Sequence, residues 1–95
     1  MGSGWYTGGM KELEKTLKAL ANKRRLAIIY YLKKNREAIV TELAEAINLS
    51  FRSTSRHLAI LFAAGVLEKR QQSTEVYYFL AGRKHPTTEH VLSLL

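Results

Sequence analysis

The chain contains no cysteine and a single proline. Without a thiol there is no disulfide, no thiolate metal centre and no thiol redox chemistry, and a reducing compartment is compatible with that composition. With so little proline, long stretches are free to run as helix. Acidic residues are scarce, eight against fifteen Lys and Arg, which leaves a formal charge of +7 with His neutral. A positive balance of that size suits a polyanion, most often nucleic acid, or else marks a basic but inert surface. No apolar run approaches the length of a membrane span. The N-terminus lacks the basic region and apolar core of a secretory signal, and the cytoplasm is the expected compartment. There is no nucleophile motif, no glycine-rich phosphate loop and no HExxH pair, so neither an enzyme nor a cofactor is expected.

What is present is a chain of 95 residues, 46% of them apolar. That composition predicts one compact, helix-rich domain, near the size at which dimerisation often supplies extra burial. Residues 1–9, "MGSGWYTGG", are Gly-rich, uncharged and aperiodic. They read as a disordered leader or a cloning remnant ahead of a domain spanning residues 10–95. Trp5 and Tyr6 could alternatively dock on the domain or stack on bases.

From Lys11 to Ala21, Leu13, Leu17 and Leu20 recur at helical spacing among Lys and Glu, which predicts an amphipathic helix. Asn22 reads as a breaker and as the N-cap of the next helix, Lys23 to Lys34. Its "LAIIYYL" run is apolar on nearly all faces and predicts a buried, central helix. Ala38 to Val40 is short and β-favouring, a candidate edge strand. Thr41 is a candidate N-cap, with Glu42 placed against the positive end of the helix dipole. Leu43, Ala44 and Ile47 line one face of a short helix. Asn48 suits a left-handed C-terminal conformation, and Leu49 completes a turn of helix-turn-helix length.

Ser50 is the next N-cap. The helix behind it runs to about Ala64 and ends at Gly65. Thr54, Leu58, Leu61 and Phe62 fall on one stripe and are expected in the core. Phe51, Arg52, Ser53, Ser55, Arg56 and Ala59 fall mostly away from it. Downstream, "VLEKR", "QQST" and "EVYYFL" read as strand, turn and strand. Thr87 or Thr88 is expected to cap a last helix whose apolar side carries Val91, Leu92, Leu94 and Leu95. Helix, helix, short strand, helix, helix, hairpin, helix is the layout of a winged helix-turn-helix: mainly α, with a small β-hairpin.

A recognition helix must pack on its neighbours with its back and meet base edges with its front and N-terminal turns. Arg52, Ser53 and Arg56 are the first candidates to face bases or adjoining phosphates. Ser50 sits where a helix N-terminus favours phosphate. Phe51 suits a thymine methyl or a staple at the helix entry. Ser55 and His57 are second choices, and His57 could equally be a hydrogen-bonded packing residue. An ordinary solvated face would carry Glu, Lys and Ala rather than a cluster of Ser and Thr, which are mediocre helix formers. In the wing, Lys69 and Arg70 lead into a tip of Gln71, Gln72, Ser73 and Thr74 that can lie along phosphates or enter the minor groove. The rival reading is a winged helix that docks a protein or binds RNA. Protein docking would put a contiguous apolar patch on the front; RNA recognition would put exposed stacking aromatics there.

At these residues the chain resembles the ArsR family of winged-helix repressors. "LKALANKRRLAIIYYL" is similar to that family's leucine-rich lead into an Arg-Leu helix. "VTELAEAINLS", "SRHLAILFAAGVLEKR" and "VYYFL" are similar to its helix-turn-helix and wing. The resemblance runs from about Leu17 to Leu80. It implies a homodimeric repressor on a two-fold double-stranded DNA operator, paired through its first and last helices, with Leu13, Leu17, Val91, Leu92 and Leu95 at the contact. The family's Cys-x-Cys metal positions match Ile39 and Thr41 here. Its Asp and His pairs on the last helix have only His85, Glu89 and His90 as counterparts. Its Asp-Pro before the second helix becomes Asn22-Lys23. No metal site is therefore expected, no membrane partner either, and the effector is unknown.

Overall fold

The computed structural model describes residues 8–95, so Trp5 and Tyr6 lie outside the described residues. The elements follow in the order α1 (Met10–Leu20), α2 (Lys23–Asn35), β1 (Glu37–Ala38), α3 (Val40–Ala46), α4 (Phe51–Ala63), β2 (Leu67–Gln72), β3 (Glu75–Leu80) and α5 (Pro86–Leu94). The strands make one antiparallel sheet in the order β1-β3-β2. This is a winged helix-turn-helix, mainly α with a small sheet.

The caps explain where most helices begin and end. Asn22 is extended, and its side-chain carbonyl accepts from the Arg25 N–H at 3.1 Å, which starts α2. Ser50 Oγ accepts from the Ser53 N–H at 3.1 Å and starts α4. At the end of α3, Asn48 takes φ 54°, while the Asn48 and Leu49 N–H groups donate to the Glu45 and Ala44 carbonyls. At the end of α4, Gly65 takes φ 76°, while the Gly65 and Val66 N–H groups donate to the Phe62 and Leu61 carbonyls. Both are Schellman closures, which use a left-handed residue to satisfy carbonyls that the helix leaves open.

Two expected caps are corrected. Helix α3 starts at Val40, so Thr41 lies inside its first turn. Ile39 holds the cap position without a side-chain acceptor, and the Glu42 carboxylate accepts its N–H at 3.1 Å. Val40 packs against the core, which takes it from the expected strand and confines β1 to Glu37–Ala38. Helix α5 starts at Pro86, where a missing N–H costs nothing. His85 Nδ1 accepts from the Thr87 N–H at 3.0 Å, so neither Thr87 nor Thr88 is the cap. Thr88 is buried instead.

Helix α2 is the central element, packed against every other helix and against β1 and β3. Its Ile28, Ile29 and Leu32 meet Leu43, Leu58, Leu61, Val66 and Leu67 in the core. Thr54, Leu58 and Leu61 are fully buried along α4, as expected, but Phe62 is 42% exposed. At about 100° per residue Phe62 lies past the edge of that stripe, and the Lys69 ammonium sits 4.5 Å from its ring centre. Helix α5 packs on α1. Leu92 is buried within its own chain at 7% exposure, so that expected interface residue belongs to the subunit core.

Thr54 Oγ1 is buried and makes no hydrogen bond among the described residues. An unpartnered buried hydroxyl costs about 1–3 kcal/mol, and an apolar group of the same shape removes that cost. Thr54→Val is therefore expected to raise stability by about 1 kcal/mol in urea unfolding. A loss of that size would mean the hydroxyl has a partner, such as an ordered water.

Candidate nucleic-acid interface

The buried stripe on α4 decides what its other side presents. Arg52 and Arg56 are one turn apart and exposed, and Ala59 continues the same face. Neither guanidinium makes a hydrogen bond or ion pair among the described residues. Ser53 and His57 are half-buried on one flank of that face, and Ser55 is half-buried on the other. Phe51 projects at the start of the helix, 57% exposed. It borders an open cleft whose lining includes Arg24, Thr41, Asn48 and Ser50.

Neither α2 nor α4 has an acidic residue in its first turn, and α2 opens with Lys23, Arg24 and Arg25. Cations at a helix N-terminus oppose the macrodipole, which favours anions there. Arg24 and Ser50 share the lining of the cleft with the Glu45 carboxylate. Sequence reasoning passed over Arg24 and Arg25. The signal was available in the run Lys23-Arg24-Arg25, which breaks the usual charge rule for a helix start.

His57 lies half-buried on the flank of the open face. Its Nδ1 lies 3.1 Å from an Arg25 terminal nitrogen. Burial, then the charges of Arg25, Arg24 and Arg56, lower its pKa below the ordinary 6.5.

The wing divides its cations by strand alternation. Arg70 pairs with Tyr77 across the ladder, and Glu37 pairs with Phe79, so these four residues share one face of the sheet. Arg70 donates to Glu37 Oε1 at 2.7 Å and to Gln72 Oε1 at 2.9 Å, and lies 4.9 Å from the Tyr77 ring centre. The hydrogen bond from Arg70 holds the Glu37 carboxyl below its usual range, and the same bond raises Arg70. Lys69 pairs with Tyr78 on the opposite face, the one that packs toward the core and α4. The wing tip is also shorter than expected. Gln71 and Gln72 close the ladder against Val76 and Glu75. The turn itself is Ser73–Thr74, with Ser73 at φ 60°. Lys69, Gln71, Gln72, Ser73 and Thr74 are all exposed.

Residues 22–69 match the family model described as bacterial regulatory protein, arsR family. The chain belongs to the ArsR family. It is similar to the transcriptional activator HlyU of Vibrio cholerae, 38% identical over an alignment covering 76% of this chain and 72% of that protein. A solved structure of reduced HlyU from Vibrio cholerae superposes with a TM-score of 0.79, at 32% identity, over 97% of this chain and 93% of that one. The arsenical resistance operon repressor of Bacillus subtilis is 34% identical over 75% of this chain and 68% of its own length. The homodimeric winged helix-turn-helix DNA-binding domain of Mb0332 from Mycobacterium bovis has a TM-score of 0.77, at 30% identity, over 90% of this chain and 75% of that one. The chain is thus an ArsR-family transcriptional regulator with a winged helix-turn-helix DNA-binding fold.

The ArsR-family positions that the resemblance assigns to metal carry unsuitable side chains. Ile39 has no donor atom, and Thr41 is exposed in the first turn of α3. His85 is occupied as the cap of α5, and Glu89 lies 3.5 Å from Lys84. Among the described residues, no group of three or more His, Asp or Glu side chains gathers to hold a metal ion.

The His57 shift has a defined sign. A lowered histidine pKa means that the unfolded chain binds more protons near and below pH 6.5. Stability should fall as pH drops through 6.5 towards the folded-state value. Urea unfolding between about pH 7 and about pH 5 should show a larger loss for the native chain than for His57→Asn. Equal losses would contradict the assignment.

Proposed function

We propose that this chain is a homodimeric repressor that binds double-stranded DNA sequence-specifically and works without thiolate metal sensing. One observation carries the DNA reading: two unpaired guanidiniums, Arg52 and Arg56, stand on the outward face of a capped helix whose underside is fully buried. Arginine matches the guanine O6 and N7 edge with two parallel hydrogen bonds. Ser53 and Ser55 are short enough to let the helix backbone approach the bases. Ser50 Oγ accepts within the cap, and its O–H is free to donate to a phosphate. In the wing, Lys69 and the tip residues Gln71, Gln72, Ser73 and Thr74 serve as backbone contacts. Arg70 acts mainly by holding the wing to β1, and joins DNA where a phosphate displaces Glu37.

Dimerisation is supported by apolar surface left open at one end of the subunit. Met10, Leu13 and Leu17 on α1 and Leu94 and Leu95 at the end of α5 are between 37% and 70% exposed. Val91 is half-buried beside them. Burying an aliphatic side chain of this size contributes about 1.5–3 kcal/mol, so a few of them drive association. The Mb0332 domain, described as homodimeric, supports dimerisation as such. A two-fold pair would set its recognition helices one DNA turn apart, on the order of 34 Å.

The relatives differ in the sign of regulation, one named a repressor and one an activator. Repression is favoured because occupying an operator that overlaps a promoter requires no third contact surface. Transcription in vitro from such a promoter should fall as the protein is added, and a rise would overturn the repressor assignment.

Selection of duplex fragments from a random pool, followed by fluorescence anisotropy, tests the DNA reading itself; absence of any enriched sequence would refute it. On the selected operator, Arg56→Ala should cost about 1–3 kcal/mol at one base pair and relax preference there, while Lys69→Ala should weaken all sequences alike. Sequence-blind losses from both would reduce Arg56 to a phosphate contact. Sedimentation at tens of micromolar, on an order-of-magnitude scale, should show a dimer, and Leu17→Glu should shift it toward monomer. A monomeric native chain would reject the pairing.

A further inference from the structure

Arg25 makes four polar contacts that tie three helices together. Its backbone N–H is capped by Asn22 at 3.1 Å. Its Nε donates to the Ala19 carbonyl at 2.6 Å, and one terminal nitrogen donates to the Lys18 carbonyl at 3.1 Å. The other terminal nitrogen lies 3.1 Å from His57 Nδ1. A guanidinium has donors only, so His57 Nδ1 must be the acceptor, and the ring proton then sits on Nε2. The result is a rigid link from the C-terminal carbonyls of α1, through α2, to the flank of α4.

A helix C-terminus with open carbonyls attracts any nearby cation, so the α1 contacts alone would make Arg25 an ordinary cap. The third arm is what such a cap does not need. It reaches a residue 32 positions away, on the helix that carries Arg52 and Arg56. Arginine is suited to this because its donors form a fixed planar fork.

We propose that Arg25 is a positioning residue for DNA recognition: a strut that fixes α4 relative to α1 by holding His57 through Nδ1. The proposal rests on the dimeric DNA-binding reading, in which α1 lies at the two-fold contact. There, the strut sets the separation of the two recognition helices, and with it the half-site spacing that the dimer accepts. His57 is accordingly a brace for α4 rather than a reader of bases. The charged side chains that bear on its ring are Arg24 and Arg25 of α2 and Arg56 of α4, all cationic. The α1 helix contributes the two carbonyls that anchor Arg25. Among the described residues, Arg25 forms no ion pair with a carboxylate.

The test compares Arg25→Gln, His57→Leu, their double variant and His57→Asn on the selected operator and on versions with the half-sites moved by one base pair. Arg25→Gln and His57→Leu should each bind the native spacing about tenfold more weakly, the scale of one hydrogen bond to a charged group. Each should also lose most of the preference for native over altered spacing, which a general loss of stability would not change. The double variant should be no weaker than either single one, because both remove the same link. His57→Asn, whose side-chain oxygen occupies the position of Nδ1, should retain most of the binding and the preference. Unchanged spacing preference in His57→Leu, or multiplied losses in the double variant, would overturn the proposal. If Arg25→Gln fails to fold, the two His57 variants still decide it. If the native chain enriches no operator, the DNA reading fails instead, and the link itself is judged by NMR titration of the His57 ring. Its midpoint should rise in Arg25→Gln, and an unmoved midpoint would overturn the strut.

Discussion

Thr54, Leu58 and Leu61 bury one side of α4 completely, and that burial decides the orientation of every group the helix presents to solvent. At a period of 3.6 residues, fixing three inward positions leaves no freedom for the rest. Arg52, Arg56 and Ala59 must face outward, and Ser53, His57 and Ser55 must fall on the flanks. The ends are held as firmly. Ser50 caps the start, and the Gly65 closure turns the chain directly into β2, so the wing emerges from the same helix that carries the arginines. A slip of one residue in this register would turn Arg56 toward the core.

The electrostatic arrangement follows from the same scaffold. Helices α2 and α4 both begin with cations and without carboxylates. Each such choice weakens the helix slightly, by a few tenths of a kcal/mol to about 1 kcal/mol at an exposed terminus. Departures from local helix rules gathered at one surface mark a site where function outweighs stability. Where a cation serves structure instead, it has a visible partner. Arg25 spans α1 and His57, Arg70 holds Glu37, and Lys33 donates to the Leu92 carbonyl at 2.8 Å. Arg52 and Arg56 have no such engagement among the described residues, whereas Lys69 lies over the Phe62 ring and is still exposed.

The order of elements was legible in the sequence because it is written in periodicity and in caps with a chemical signature. Asn22, Ser50, Asn48 and Gly65 each act as their residue type predicts. The failures lie where one residue competes for two roles. Val40 suits a strand, but it packs half-buried against the core as the first residue of α3, which displaces Thr41 as the cap. His85 caps α5 because Pro86 fixes the start of the helix, a role that composition assigns to Thr87 or Thr88. Phe62 is apolar, yet geometry sets it beyond the buried stripe and under Lys69. The placement of the candidate side chains was legible on α4 and less so elsewhere. Lys69 and Arg70 are neighbours in sequence but face opposite sides of the sheet, and Arg70 finds Glu37, 33 residues away. The Arg25–His57 link joins residues 32 apart, a separation no local pattern encodes.

The central claim is that the outward face of α4 enters the major groove. The absence of cysteine makes it directly measurable, since one introduced thiol is a unique attachment point. Ala59 is exposed on that face, one turn beyond Ser55. An iron chelate attached at Ala59→Cys and bound to the selected operator should cleave both strands at a few positions within each half-site, in the pattern of attack from the major groove. Cleavage confined to the operator's outer flanks, or spread evenly along the duplex, would contradict the account.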